Sequence, residues 1–205
     1  MNPLTLRLIA LMGAALAIAG CHPAPDQATF TAAMTTYLAK RGDLCLGKSA
    51  WPIDVTQHEV DVGGRNALQM PPLERLGLVS SGVAEVVVDD EGTKHAMKVR
   101  RFDLTEAGKR YLVQRDAQTR DFCAAHLTLD RVVGWKLDPG ERGPATHARV
   151  TYTYQVDAAP WTRDGEIQKV FPVVAGVVRG AGTAQLEETF VRTEQGWVAV
   201  DLLGT

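Results

Sequence analysis

The chain has 205 residues, a formal net charge of −2, and 45% hydrophobic residues. This composition is ordinary for a globular protein and leaves room for one well-cored domain or two small ones. Near-neutral charge excludes a strongly nucleic-acid-seeking protein, and past the N-terminus no apolar run is long enough to span a bilayer.

Residues 1–20 read as an export signal. Arg7 is their only charge, an apolar run follows from Leu8 to Ile18, and the small pair Ala19-Gly20 closes the segment. A basic start, a short apolar core and small residues before the cut are the marks of secretion. Ile18-Ala19-Gly20-Cys21 resembles the lipobox of bacterial lipoproteins. The resemblance implies cleavage before Cys21, a diacylglyceryl group on its thiol, and acylation of its new N-terminus. Two or more acyl chains hold a protein firmly to a bilayer where one is marginal. Position 22 is His rather than Asp, which in the enteric form of the family favours the outer membrane over the inner, with the domain in the periplasm. Cys21 then leaves Cys45 and Cys123 as an even pair in an oxidising compartment, so a disulfide between them is expected. The alternative, a reactive thiol, would need a Cys-x-x-Cys motif or a helix start, and neither cysteine has one.

Residues 21–28 form a short, proline-bearing tether. A helix is predicted over 29–41, with Phe30, Met34, Tyr37 and Leu38 on one face, Asp26 or Thr29 as its cap, and Gly42 just past its end. Residues 43–63 read as irregular, with a strand near Ile53–Thr56 and an extended Trp51-Pro52 step. Gly63-Gly64 is a break. A helical piece follows over Asn66–Met70, and Pro71-Pro72 can open another turn running to Leu76.

Next comes Leu73-Glu-Arg-Leu-Gly-Leu-Val79, a strand Val83–Val88, the turn Asp89-Asp90-Glu91-Gly92, a strand Lys94–Leu104, and a Thr105-capped helix to Leu112. This pattern over 73–112 resembles the last part of a winged-helix domain. Pro71 and Pro72 stand where that family carries its recognition helix, so no nucleic-acid partner is expected.

Residues 122–203 read as a separate module. Its strands are Leu127–Trp135, Ala148–Val156, Gln185–Arg192 and Trp197–Leu203, the last two joined at Glu194-Gln195-Gly196. A helix over 162–171 places Ile167, Val170, Phe171 and Val174 on one face, with Pro172 ending or kinking it. The expected class is α+β. An N-terminal helix and a winged-helix-like hairpin and helix (29–120) precede a four-stranded antiparallel sheet with one packed helix (121–205).

Catalytic patterns are missing from the sequence. His22, His58, His95, His126 and His147 fall at no metal-ligand spacing, and Ser49, Ser80 and Ser81 lie in no nucleophile motif. Gly176, Gly180 and Gly182 precede a strand without a Gly-Lys-Ser/Thr, so they read as a turn. Glu187 and Glu188 are adjacent on a strand and face opposite ways. Trp135, Trp161 and Trp197 could line a pocket, though in a small sheet-and-helix module such residues are more often core. The candidate pocket residues are Tyr152, Tyr154, Trp161 and Trp197. Lys98, Arg100, Arg101, Lys109, Arg110, Arg115 and Arg120 form a basic segment opposed by Asp103, Glu106 and Asp116. It reads as a solvated face or, functionally, as a docking surface for an anionic surface or an envelope protein.

Together these features point to a lipid-anchored, non-enzymatic interaction module without cofactors, attached to the membrane through its N-terminal lipid. A periplasmic small-ligand-binding lipoprotein is the alternative.

Overall fold

A computed structural model describes residues 24–203 apart from 91, 116, 141 and 142, with the backbone alone at 90, 139, 140 and 143–145. The signal segment and Cys21 lie outside the described residues.

Helix α1 (Gln27–Arg41) starts where the Asp26 carboxylate accepts the Thr29 N–H at 2.8 Å. Of the predicted face it buries Phe30, Met34 and Leu38, with Tyr37 half-buried. Gly42 ends it for lack of space: a Cβ there would collide with the carbonyls of Leu38 and Leu127. Strand β1 (Asp43–Cys45) and strand β2 (Ile53–Thr56) follow. A capping box between Thr56 and Glu59 opens the short α2 (Gln57–Asp61), within the stretch expected to be irregular.

Helix α3 (Arg65–Arg75) is continuous through Pro71 and Pro72, although each removes a backbone donor. Packing offsets that loss, since Met70 and Leu73 are fully buried beside it. Strands β3 (Val79–Asp90) and β4 (Thr93–Leu104) form the expected hairpin. The helix after it is a single turn, α4 (Glu106–Lys109), with the Thr105 hydroxyl accepting from the Gly108 N–H. Leu112, expected at the end of that helix, instead opens strand β5 (Leu112–Gln114).

Beyond residue 120 come β6 (Arg120–Gly140) and β7 (Gly143–Ala158), then a 3₁₀ turn over Pro160–Arg163. The single helix expected over 162–171 is divided. Asp164 caps α5 (Gly165–Val170), and Pro172 starts α6 (Pro172–Gly180) instead of ending a helix. Strands β8 (Gln185–Thr193) and β9 (Gly196–Ala199) finish the sheet, with 200–202 forming a 3₁₀ turn rather than strand.

The expected four-stranded sheet with one packed helix is therefore corrected. The large antiparallel sheet has six strands, ordered β1-β6-β7-β8-β9 with β5 also on β6, and a second sheet is ordered β2-β4-β3. Two causes are visible. β1 and β5 are three residues long, too short to show alternation, and they join through the edge of β6. Three register shifts along β6–β7 let β6 run long and curl.

Each of the two cores draws on both sides of residue 120. α1 packs with Leu127, Val150, Tyr152, Tyr154 and Phe190 of the large sheet. Ile167 of α5, Val174 of α6 and Phe171 between them pack with Met70, Leu73 and Phe102. An Arg75–Asp164 ion pair at 2.7 Å joins α3 to the start of α5. The chain thus exchanges helices between its halves. Cys45 and Cys123, direct partners in the β1–β6 ladder, are joined by a disulfide.

Candidate functional site

The most exposed apolar feature is the outer part of the β3–β4 hairpin. The two strands pair without a register shift from Val79–Leu104 to Asp90–Thr93. β2 covers β4 only over Val99–Phe102. Past Val99 the hairpin is a two-stranded ribbon with no third strand on either side among the described residues.

Its two edges differ. The Ser81 N–H points away from β4 and donates to Glu74 Oε1 at 3.0 Å. Strand alternation then directs the N–H and C=O groups of Val83, Glu85, Val87 and Asp89 to the same outer edge. Cross-strand partners share a face, so these side chains stand beside Arg100, Lys98, Ala96 and Lys94. Val83 is 84% and Val87 72% exposed. The opposite edge, along β4, carries Lys94 and Lys98, the residue type that commonly guards an open strand. The β3 edge carries acids, Glu85 and Asp89, at the corresponding sites, with Val83 and Val87 alternating between them. At the base of the ribbon, Val55, Val60, Gly82, Val83, Lys98 and Arg100 line a groove of about 680 Å³ against α2.

The basic segment does not form one free face. Arg101 makes a two-pronged contact with Asp54, 2.7 Å at each oxygen, and that guanidinium holds the Asp54 carboxyl below its usual range. Arg100 pairs with Glu74 at 2.6 Å and lies 4.9 Å from the Phe102 ring centre. Lys109 pairs with Glu106, and Arg115 lies 3.5 Å from Asp43. Arg120 donates to Gln114. Of the seven basic residues, Lys98, Arg110 and Arg120 lack an ion pair among the described residues.

The four aromatic residues expected around a pocket are not brought together. Tyr152 and Tyr154 are buried in the large-sheet core with Trp197 beside them, whereas Trp161 is buried in the other core. Burial comes first among the causes that push the Tyr152 hydroxyl up to about 12, and burial with Glu188 raises Tyr37 further, so neither ionises near neutrality. A groove of about 840 Å³ does run along α1, between Thr29, Ala33 and Thr36 and the turn-side residues Trp197, Val198 and Leu202. The glycine cluster closes the step from α6 into β8. A Cβ on Gly180 would come 2.7 Å from the Tyr154 hydroxyl, and Gly182 is left-handed at φ +75°.

Two polar constellations escaped the sequence reading. His126 Nδ1 lies 2.8 Å from Asp43 Oδ1 because β1 and β6 place the two residues opposite each other. The adjoining cavity of about 350 Å³ has no serine or threonine in its lining, and its one cysteine, Cys123, is in the disulfide. The pair therefore has no hydroxyl or thiol nucleophile of those types to activate. Among the described residues, no three His, Cys, Asp or Glu side chains group as a metal site, and no helix is long and apolar enough to cross a membrane.

Lys48 is the other. It is 5% exposed, its Nζ donates to Asn66 Oδ1 at 2.7 Å, and its backbone N–H donates to Asp121 Oδ1. Burial and nearby Arg65 push its amine down to about 8, with Asp121 acting the other way. The folded state therefore holds fewer protons than the unfolded state between about pH 8 and the ordinary lysine value near 10.5. Stability must rise with pH across that window, and below pH 8 the charged amine destabilises the fold by a constant amount. Lys48→Met is expected to be more stable than the parent by about 1–2 kcal/mol at pH 7, with the advantage gone by about pH 10.5. Urea midpoints at the two pH values check this, and a less stable variant at pH 7 contradicts it.

No family model, no curated protein and no solved structure matches this chain.

Proposed function

We propose that this chain is a lipid-anchored, non-enzymatic module of a bacterial cell envelope that holds a partner protein close to the membrane. Export, acylation at Cys21 and a short tether over 21–28 set the address, the periplasmic face of a membrane, the outer one favoured. The Cys45–Cys123 disulfide accords with an oxidising compartment. The observation that carries the docking role is the ribbon: two largely exposed valines, alternating with Glu85 and Asp89, on a strand edge that no other strand covers among the described residues. The basic segment is not the proposed face, because most of its charges are already paired.

The test uses the full chain in envelopes with a photoreactive residue at Val83 or Val87. A discrete cross-linked partner is expected from either position and none from Val133, which is exposed on β6. Mass spectrometry should find Cys21 acylated, and Cys21→Ala should leave the chain either unanchored or unprocessed, with its signal segment still attached. Equal labelling from all three positions, or a Cys21→Ala chain that is cleaved before residue 21 and still membrane-bound, contradicts the reading. The groove along α1 supports a second reading, small-ligand binding in the periplasm.

A further inference from the structure

We infer that the ribbon takes its partner by strand addition: an extended segment of another protein pairs with the outer edge of β3. The segment carries basic and apolar side chains on alternate residues of one face. This rests on the docking reading above and specifies its chemistry.

The backbone supplies the first half of the inference. Val83, Glu85, Val87 and Asp89 direct their N–H and C=O groups outward, and among the described residues none of these groups has a backbone partner outside the hairpin. Four such residues in a row, without a bulge, form a template for an added strand. Toward the base the template stops at Ser81, whose N–H is taken by Glu74. At the tip it stops at the turn, where the Asp89 carboxylate accepts the Gly92 N–H at 2.9 Å. The edge therefore has a defined length and register.

Side chains supply the second half. Along the edge the shared face reads Val83, Glu85, Val87, Asp89. Glu85 makes no ion pair among the described residues and Asp89 none beyond its turn bond, although Lys98 and Lys94 stand across from them. A lysine or arginine on the added strand would flank each acid from its open side, and an apolar residue would cover each valine.

A second copy of this chain fits less well. Pairing β3 with its own two-fold mate brings Glu85 and Asp89 of both copies into one seam. The lysine-bearing edge of β4 is open only from Lys94 to Lys98 before β2 occupies it at Val99.

The experiment titrates full-length protein in detergent with the peptide acetyl-Lys-Thr-Val-Thr-Lys-Thr-Val-amide and with its twin carrying Glu for both Lys. The lysine peptide should bind and the glutamate peptide should not. Val87→Pro removes an outward donor without touching the β4 ladder, so the fold should persist by circular dichroism while binding falls about tenfold or more. Val87→Ala keeps that donor and should lose only about two- to fivefold. Glu85→Lys should weaken the lysine peptide and admit the glutamate one.

Equal losses in Val87→Pro and Val87→Ala would overturn strand addition, as would equal binding of the two peptides. Self-association of the parent that Val87→Pro abolishes would overturn the proposed partner in favour of a second copy. If no peptide binds while cross-linking from Val83 persists, strand addition fails and the docking reading stands. If cross-linking is also absent, both fail.

Discussion

Replacing Cys45 and Cys123 together by alanine is expected to lower the melting temperature by about 8–15 °C. The bond spans 78 residues of sequence. In the chain-entropy model a loop of that length removes about 4–5 kcal/mol of unfolded-state freedom, and measured losses on deleting native disulfides run from about 2 to 5 kcal/mol. The enclosed loop contains β2, α3 and the whole β3–β4 hairpin, and β1 reaches β6 through only three residues of ladder. Little else fixes that junction locally, so the covalent link should matter near the upper end of the range. Calorimetry of the double variant and of the reduced parent checks it. The two should melt together, both below the oxidised parent, and an unchanged melting temperature would contradict the assignment.

Phe30→Ala should cost about 3–5 kcal/mol. Phe30 has no exposed surface. Its ring lies 5.2 Å from both Trp135 and Trp197 and 6.3 Å from Phe190, measured between centroids. Truncation leaves a cavity under three aromatic rings held by β6, β8 and β9, which cannot close up without moving strands. Urea unfolding measures the loss, and tryptophan emission should shift to the red as Trp135 and Trp197 meet water. A loss below about 1 kcal/mol would mean that α1 is not docked on the large sheet.

That docking was only half legible in the sequence. The face of α1 followed from the spacing of Phe30, Met34 and Leu38, because a helix repeats every 3.6 residues whatever it packs on. Its target did not follow, because an apolar stripe has no address and residues 42–119 intervene between α1 and β6. Along β7, Val150, Tyr152 and Tyr154 are buried as alternation requires. Thr153 breaks the pattern. It lies on the other face yet is buried, with its hydroxyl donating to Asp130 Oδ2 at 2.7 Å. The length of α3 is not legible locally, because its prolines signal a boundary while the burial of its Met70 and Leu73 against distant residues such as Ile167 and Phe171 holds the helix together.

The candidate site divides the same way. The hairpin could be read from its Asp-Gly turn and flanking strands, and Val83-x-Glu85-x-Val87-x-Asp89 is written in the sequence. Which way their N–H groups point follows from the β3–β4 register, and their edge is open because β2 pairs with β4 rather than β3. No local pattern encodes that choice of partner. Lys48 gave no signal at all, since its burial is created by segments far away in sequence.

Residue-by-residue amide hydrogen exchange along β3 tests the open edge most directly. In the free, full-length protein, the amides of Ala84, Val86 and Val88, which face β4, should exchange clearly more slowly than those of Val83, Glu85 and Val87, which face solvent. Uniform protection of all six would show that the β3 edge is already covered before any partner arrives, and would contradict the account.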